Sequence, residues 1–239
     1  NYPKPYISFM QGYTMGGGVG ISCHGSHRIV CETSKIAMPE CSIGLVPDVG
    51  GSLLLAKAPA SIGYFLGLTG AQMGAADAIY TGFADIYLPK DKWPYIIDKL
   101  ERSGDCSILS KDPINSNYSQ LAENSQFWES AFASKNLEKI VEYLSGSENQ
   151  LANFALSQIK KNCPLAMSYT IEMLSRLSPK SKIEDALDLE YRFTSRAQEY
   201  GNFQEGIRAA IIDKDRKPKW KVKINSVSKE MIDEFLKPV

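Results

Sequence analysis

The fold class the sequence predicts is α/β, an alternation of short strands and helices to about residue 102, followed by a mostly helical region. Three observations carry it. A short apolar run over 5–10 stops at Gln11-Gly12 and gives way to Gly16-Gly17-Gly18-Val19-Gly20, the pattern of a buried strand entering a helix through a tight turn. Two further short runs, 28–31 and 36–38, read as strands, and strand–helix–strand order implies a layered α/β unit. Beyond residue 136 apolar residues recur at helical spacing, as in Leu137, Ile140, Val141 and Leu144.

The remaining elements follow in order. The glycines lead into a short helix over 21–25 whose end Gly25 marks. Three short helices are expected over 52–57, 62–68 and 72–80, punctuated by Pro59, Gly63, Thr69-Gly70 and Gly82, then a strand over 84–88. Pro89-Lys90-Asp91 supplies a turn, with Asp91 placed to cap a helix reaching Arg102. The stretch 103–117 is rich in Ser, Asp, Asn and Pro and reads as a linker. Helical spacing then resumes in Leu151, Phe154, Ala155 and Ile159, in Ala166, Tyr169, Thr170 and Met173, and in Ile183, Leu187, Glu190 and Tyr191. The expected organisation is an α/β core over 1–102, a variable linker, loop and helix over 103–135, and a helical region over 136–239.

Composition narrows the function classes. The 239 residues are 44% hydrophobic and 23% charged with zero formal net charge, so a core of ordinary size is expected and no nucleic-acid or anionic-membrane surface is. The one basic cluster, 214–223, reads as a solvated face. Cys23, Cys31, Cys41, Cys106 and Cys163 are odd in number and form no C-x-x-C pair, which favours a reducing compartment over disulfides or a metal site. No apolar run is long enough to cross a membrane. The chain opens at Asn1 directly into a strand-like run and reads as a fragment whose targeting segment would lie upstream.

The candidate chemistry lies in the first fifty residues. The glycine stretch is neither G-x-G-x-x-G nor a P-loop. It is either a tight turn alone or an oxyanion loop in which Gly16 and Gly17 contact substrate and the Gly17 N–H faces developing negative charge; glycine by itself does not decide. Glu40 and Asp48 follow, eight residues apart, each beside a proline. They are either solvated or helix-capping loop carboxylates, or an acid/base pair: apolar neighbours raise a carboxylate pKa, a helix N-terminus lowers it, and two environments divide two roles. Cys41 has no histidine at a recognisable place to activate it. His24 and His27 pair with no Ser/Asp arrangement, G-x-S-x-G is absent, and Trp220 and Tyr191 read as core or interface residues.

These residues resemble a known family. Gly12-Tyr13-Thr14-Met15-Gly16-Gly17-Gly18-Val19-Gly20 resembles the central motif of the crotonase (enoyl-CoA hydratase/isomerase) superfamily. Ala37-Met38-Pro39-Glu40 with Ile43-Gly44-Leu45-Val46-Pro47-Asp48-Val49-Gly50-Gly51 resembles its 3-hydroxyisobutyryl-CoA hydrolase branch, as does Phe203-Gln204-Glu205-Gly206-Ile207-Arg208-Ala209 with Ile212-Asp213-Lys214-Asp215 and Pro218-Lys219-Trp220. The resemblance implies a spiral of ββα units, here partial, and a thioester held through coenzyme A, with no cofactor beyond that carried by the substrate and no metal. It implies an oxyanion hole of two backbone N–H groups, of which Gly17 matches the second; the first, with most coenzyme A contacts, matches a segment upstream of Asn1. Gly20 stands where the hydratases carry a first catalytic glutamate and the dienoyl-CoA isomerases an aspartate, which disfavours both. Asp48 stands where the hydratases usually carry glycine, whereas the isomerases share the Glu40 and Asp48 pair.

The implied activity is hydrolysis of 3-hydroxyisobutyryl-CoA in valine catabolism, with Glu40, Asp48 and Gly17 catalytic, in mitochondria if the source is eukaryotic and in the cytoplasm if bacterial. The alternatives are another crotonase-type acyl-CoA enzyme and a non-catalytic scaffold such as a mitochondrial ribosome subunit. The helical region is expected to cover the active-site layer or to mediate self-association, as in relatives.

Overall fold

Two small parallel sheets organise the first part of the chain. The computed structural model describes residues 2–109 and 119–239. Strands β1 (Ile7–Met10), β3 (His27–Val30) and β5 (Ile86–Tyr87) form one sheet in that order, and β2 (Tyr13–Met15) pairs with β4 (Lys35–Ala37) in the other. All these pairings are parallel, running Ile7↔His27 to Met10↔Val30 and Tyr13↔Lys35 to Met15↔Ala37. Parallel neighbours need crossovers; α1 (Gly17–Ser22) serves the first pairs, and α2 (Gly51–Lys57), α3 (Ile62–Thr69) and α4 (Ala75–Tyr80) precede β5.

Several expectations shift. Helix α1 starts on the glycines themselves and is over by Cys23. Gly25 therefore caps nothing: a Cβ there would lie 2.9 Å from the Tyr6 carbonyl, so it is a close-approach glycine. Strand β2 was not expected at all. The helix over 72–80 begins only at Ala75, because Met73 is pulled into an antiparallel bridge with Ile36, donating to its carbonyl at 2.8 Å and accepting from its N–H at 3.0 Å. Asp91 sits inside a 3₁₀ turn (Lys90–Lys92), and α5 (Trp93–Ser103) has Lys92 at its N-cap with no side-chain cap. Of the expected linker, Ser103 ends α5, Cys106–Ile108 form a 3₁₀ turn and Leu109 is buried; residues 110–117 lie outside the described residues.

The three-stranded sheet buries both faces. Met10 and Val30 point into the main core, while Ile7, Phe9, Ile29 and Ile86 pack against α5, with Phe9 edge-on to Trp93 at 5.1 Å. Arg28 ties this layer together. It forms a two-point ion pair with Asp85 at 2.6 and 2.8 Å and donates to the carbonyls of Gly82 and Cys23.

All described elements after β5 are helical; the α-helices that follow α5 are α6 (Gln120–Glu123), α7 (Ser125–Ala131), α8 (Leu137–Ser145), α9 (Gln150–Ile159), α10 (Pro164–Arg176), α11 (Ile183–Ala197), α12 (Phe203–Ile207) and α13 (Lys229–Leu236). Asn136 caps α8 through the Lys139 N–H, Pro164 occupies the first turn of α10, and Ser228 caps α13 through the Met231 N–H. Helix α10 is the central rod, with nine of its residues buried, so it can pack simultaneously on α2, α3 and α11. The phase of α11 differs from the expected one. Leu187 and Tyr191 are exposed, while Ala186, Leu189, Glu190 and Phe193 face inward; Phe193 stacks on Phe235 at 4.7 Å. Tyr191 is thus no core residue, whereas half-buried Trp220 donates to the Lys161 carbonyl at 2.9 Å. One apolar cluster runs from Met10 to Leu236, across the α/β layer and the helices.

Candidate active site

The register of the short sheet brings the glycines to Glu40. Met15 pairs with Ala37, so the chain leaves both parallel strands at the same edge, Gly16-Gly17 from one and Met38-Pro39-Glu40 from the other. Ligand sites in parallel α/β layers form at this carboxyl edge. Gly16 has φ 50 and ψ −118, open to glycine and not to other residues, and a Cβ on it would lie 2.8 Å from Glu40 Oε1. Gly17 is the first residue of α1, where an N–H has no partner within its helix and faces outward with the positive end of the helix dipole. Nothing lies within 4 Å of a Cβ built on it.

Glu40 opens a 3₁₀ helix (Glu40–Ile43) and is 6% exposed. Its Oε2 is buried with no hydrogen-bond partner among the described residues. Burial, reinforced by the nearby charges of Asp48 and Glu190, pushes its carboxyl up to about 8. Asp48 is half-buried and also raised by desolvation, and its charge is felt at Glu40. The two sequence-predicted carboxylates therefore share one poorly solvated corner, and neither is a water-exposed loop group.

Asp48 begins a tight turn closed by Gly51 N–H donating to its carbonyl at 2.7 Å. The two middle residues, Val49 (φ 55) and Gly50 (φ 77), are both left-handed. That conformation is an outlier for a β-branched residue, and the surroundings hold it. His24 Nε2 donates to the Val49 carbonyl at 3.1 Å, and the Val49 side chain fills the space above Gly20. A Cβ on Gly20 would stand 2.6 Å from Val49 Cβ. Gly20→Ala is accordingly expected to lower stability by about 1–3 kcal/mol, read as a drop in the urea midpoint; an unchanged midpoint would show that Val49 can move aside freely. His24 is exposed, its pKa lowered by partial desolvation, and it serves this turn rather than a reacting atom.

The carboxylate that caps α2 is neither Glu40 nor Asp48. Glu190 of α11, 3% exposed, accepts from the N–H groups of Gly50 and Ser52. It joins the other two carboxylates without any metal geometry: among the described residues no three His, Cys, Asp or Glu side chains converge to hold an ion. Sequence reasoning missed its part in the site, although a glutamate placed in the apolar stripe of α11 was the available signal. Cys41 is fully buried against Thr170 at 3.6 Å, and burial pushes its thiol far above the thiolate range needed of a nucleophile. The five cysteines form no disulfide. A groove of about 660 Å³ between Glu138, Lys160, Trp220 and Lys223 belongs to the helical region and includes none of these residues.

Known proteins share this arrangement of chain. The family described as "Enoyl-CoA hydratase/isomerase" matches residues 1–236. Curated relatives include the mitochondrial 3-hydroxyisobutyryl-CoA hydrolases of Gallus gallus, 34% identical across 99% of this chain, and of Homo sapiens, 33% identical across 98%. The chain spans 64% of the length of each. Among solved structures, an enoyl-CoA hydratase from Rhodobacter sphaeroides superposes with a TM-score of 0.96 at 50% identity, covering all of this chain and 69% of that one. A carnitinyl-CoA dehydratase from Mycobacterium thermoresistibile superposes with a TM-score of 0.91 at 36% identity over the same shares.

Proposed function

The chain belongs to the enoyl-CoA hydratase/isomerase (crotonase) family, and on that premise we propose that it hydrolyses an acyl-CoA thioester, 3-hydroxyisobutyryl-CoA, to the free hydroxy acid and coenzyme A. The observation that carries the reading is Glu40: a buried carboxyl with a free oxygen, against the glycine loop, whose pKa of about 8 leaves both protonation states populated near neutrality. The Gly17 N–H polarises the thioester carbonyl and holds the oxyanion that forms when the carbonyl is attacked. Ionised Glu40 either attacks that carbon, giving an anhydride that water then opens, or takes a proton from the attacking water. In both routes the C–S bond breaks, the thiolate leaves and one water is consumed. Asp48 holds the substrate hydroxyl or steers Glu40. Single-turnover hydrolysis in ¹⁸O-water separates the routes, because label in Glu40 marks the anhydride.

The names of the curated relatives support the hydrolase reading, and mitochondrial valine catabolism enters the proposal with them. The names of the two solved structures favour a second reading, addition of water to an enoyl-CoA. Against it stands Gly20, where the hydratases carry a glutamate: Val49 leaves no room there for even a Cβ. No described helix is long and apolar enough to cross a membrane.

The deciding experiment presents the full-length protein with 3-hydroxyisobutyryl-CoA and with an enoyl-CoA, following free thiol and loss of the enoyl absorbance. Thiol release is expected from the first, with kcat falling about 10–100-fold in Asp48→Asn. Hydration without thiol release would overturn the hydrolase reading, and inertness toward every acyl-CoA would indicate a scaffold.

A further inference from the structure

Glu190 is absent from the chemistry above, yet it grips the turn on which Asp48 stands. It lies 140 residues from Gly50 in sequence. Its Oε2 accepts from the Gly50 N–H at 2.9 Å; its Oε1 accepts from the Ser52 N–H at 3.2 Å and from the Ser52 hydroxyl. Gly50 and Ser52 open α2, a helix whose own N-cap residue is a glycine without a capping side chain. A carboxylate from a distant helix thus does what an Asp or Ser at the N-cap would ordinarily do.

The gripped turn needs such support. It carries left-handed Val49, and its other restraints are the His24 hydrogen bond to Val49, the Val49–Gly20 packing and its own closing Gly51 to Asp48 bond. The groups facing Glu190 are Ser52 from α2, Asp48 from the turn and Glu40 from the 3₁₀ helix, and the His24 ring, just past the end of α1, lies 2.7 Å from where a Cβ on Gly50 would stand.

We propose that Glu190 is a positioning residue for the reaction: by clamping Gly50 and Ser52 it fixes the turn that holds Asp48 beside Glu40, so that helix α11 sets the geometry of a site built on the α/β layer. This inference rests on the proposed hydrolysis. It gives the helical region a task in the reaction that covering the active-site layer alone would not require. A glutamine at 190 keeps the side-chain volume and can keep the Ser52 contacts, but it turns an amide N–H₂ toward the Gly50 N–H and loses that bond.

The test uses the full-length protein. Glu190→Gln is expected to lower kcat about tenfold with KM within about twofold, and to speed hydrogen exchange at the amides of residues 50–53. Combined with Asp48→Asn it should lower kcat no further than Asp48→Asn alone, because Glu190 acts through Asp48. Should Glu190→Gln fail to fold, Ser52→Ala removes one of the three bonds and is expected to cost about threefold in kcat at unchanged KM. A multiplicative double variant, or faster exchange with kcat intact, would reduce Glu190 to a structural cap and overturn the proposal. Wild-type protein that hydrolyses no thioester would sink the reaction itself, leaving exchange at 50–53 to report the clamp alone; it would overturn the positioning role, whereas an intact wild-type rate with an unaffected Glu190→Gln would overturn only the inference.

Discussion

Glu40→Gln is expected to lose thioester hydrolysis by at least about 10²–10³-fold and, at the same time, to yield a more stable protein above neutral pH. The first effect follows from chemistry: glutamine fills the same space but neither attacks a carbonyl nor accepts a proton from water. The second follows from where the carboxyl sits. Burial raises Glu40 from 4.5 to about 8 in the folded chain, so between those values the native state holds a proton that the unfolded state has released. Stability then falls as pH rises through that window, and the cost is complete once Glu40 is ionised in both states. At about 1.4 kcal/mol per pKa unit the burden amounts to a few kcal/mol at most. Glu190, raised to about 7, contributes with the same sign and remains in both proteins.

The measurement is a thermal melt of wild type and Glu40→Gln at about pH 5 and pH 8.5. The variant should gain on the wild type at the higher pH and match it closely at the lower one. A gap independent of pH would mean that Glu40 is not carried folded in a desolvated state. Wild-type kcat/KM should rise with pH toward a plateau above about 8, because only the ionised carboxylate is competent in either route. Activity surviving in Glu40→Gln would remove Glu40 from the reaction altogether.

What the sequence disclosed about this site was its local half. The apolar runs and the glycines announced strands and a helix start, and the prolines beside Glu40 and Asp48 marked loops. Local pattern also carried the helices over 52–57 and 62–68 nearly to their observed ends. The non-local half stayed hidden. Met73 leaves a helical pattern for a bridge to Ile36, and three-residue β2 exists because Lys35–Ala37 lies alongside it; neither partner is visible within a local window. Helix α11 showed its period but not its phase, since Leu187 with Tyr191 and Leu189 with Phe193 both offer large side chains four residues apart, and only packing against α10 and α13 chooses between them. The environment of Glu40 could be guessed as apolar from its neighbours. Its approach to Gly16 depends on strand register, and the role of Glu190 on a contact across 140 residues.

Gly206→Ala is expected to be the costliest single methyl group near the site. Helix α12 rests Gly206 directly on the end of the 3₁₀ helix that carries Glu40: a Cβ there would lie 2.0 Å from the Ile43 carbonyl oxygen, 2.3 Å from its carbon and 2.6 Å from its Cα. These are backbone atoms, so no rotamer relieves the overlap, and one of the two segments must move. Gly44 meets the same contact from the other side, its absent Cβ 2.7 Å from the Asn202 carbonyl. Overpacking of this kind costs about 1–3 kcal/mol, and more where backbone must shift. For a chain of this size that lowers Tm by about 6–12 °C at the upper end of the range. If the 3₁₀ helix is the segment that yields, Glu40 shifts from the Gly16–Gly17 loop, and a misplacement near 1 Å can cost about 10²-fold in rate. Gly17→Ala supplies the contrast, because its Cβ would meet nothing within 4 Å and the fold should hold. Melting temperature and kcat measured together locate the movement: a lowered Tm with kcat retained means that α12 gave way and Glu40 stayed in place, while loss of both means that α12 buttresses Glu40 itself.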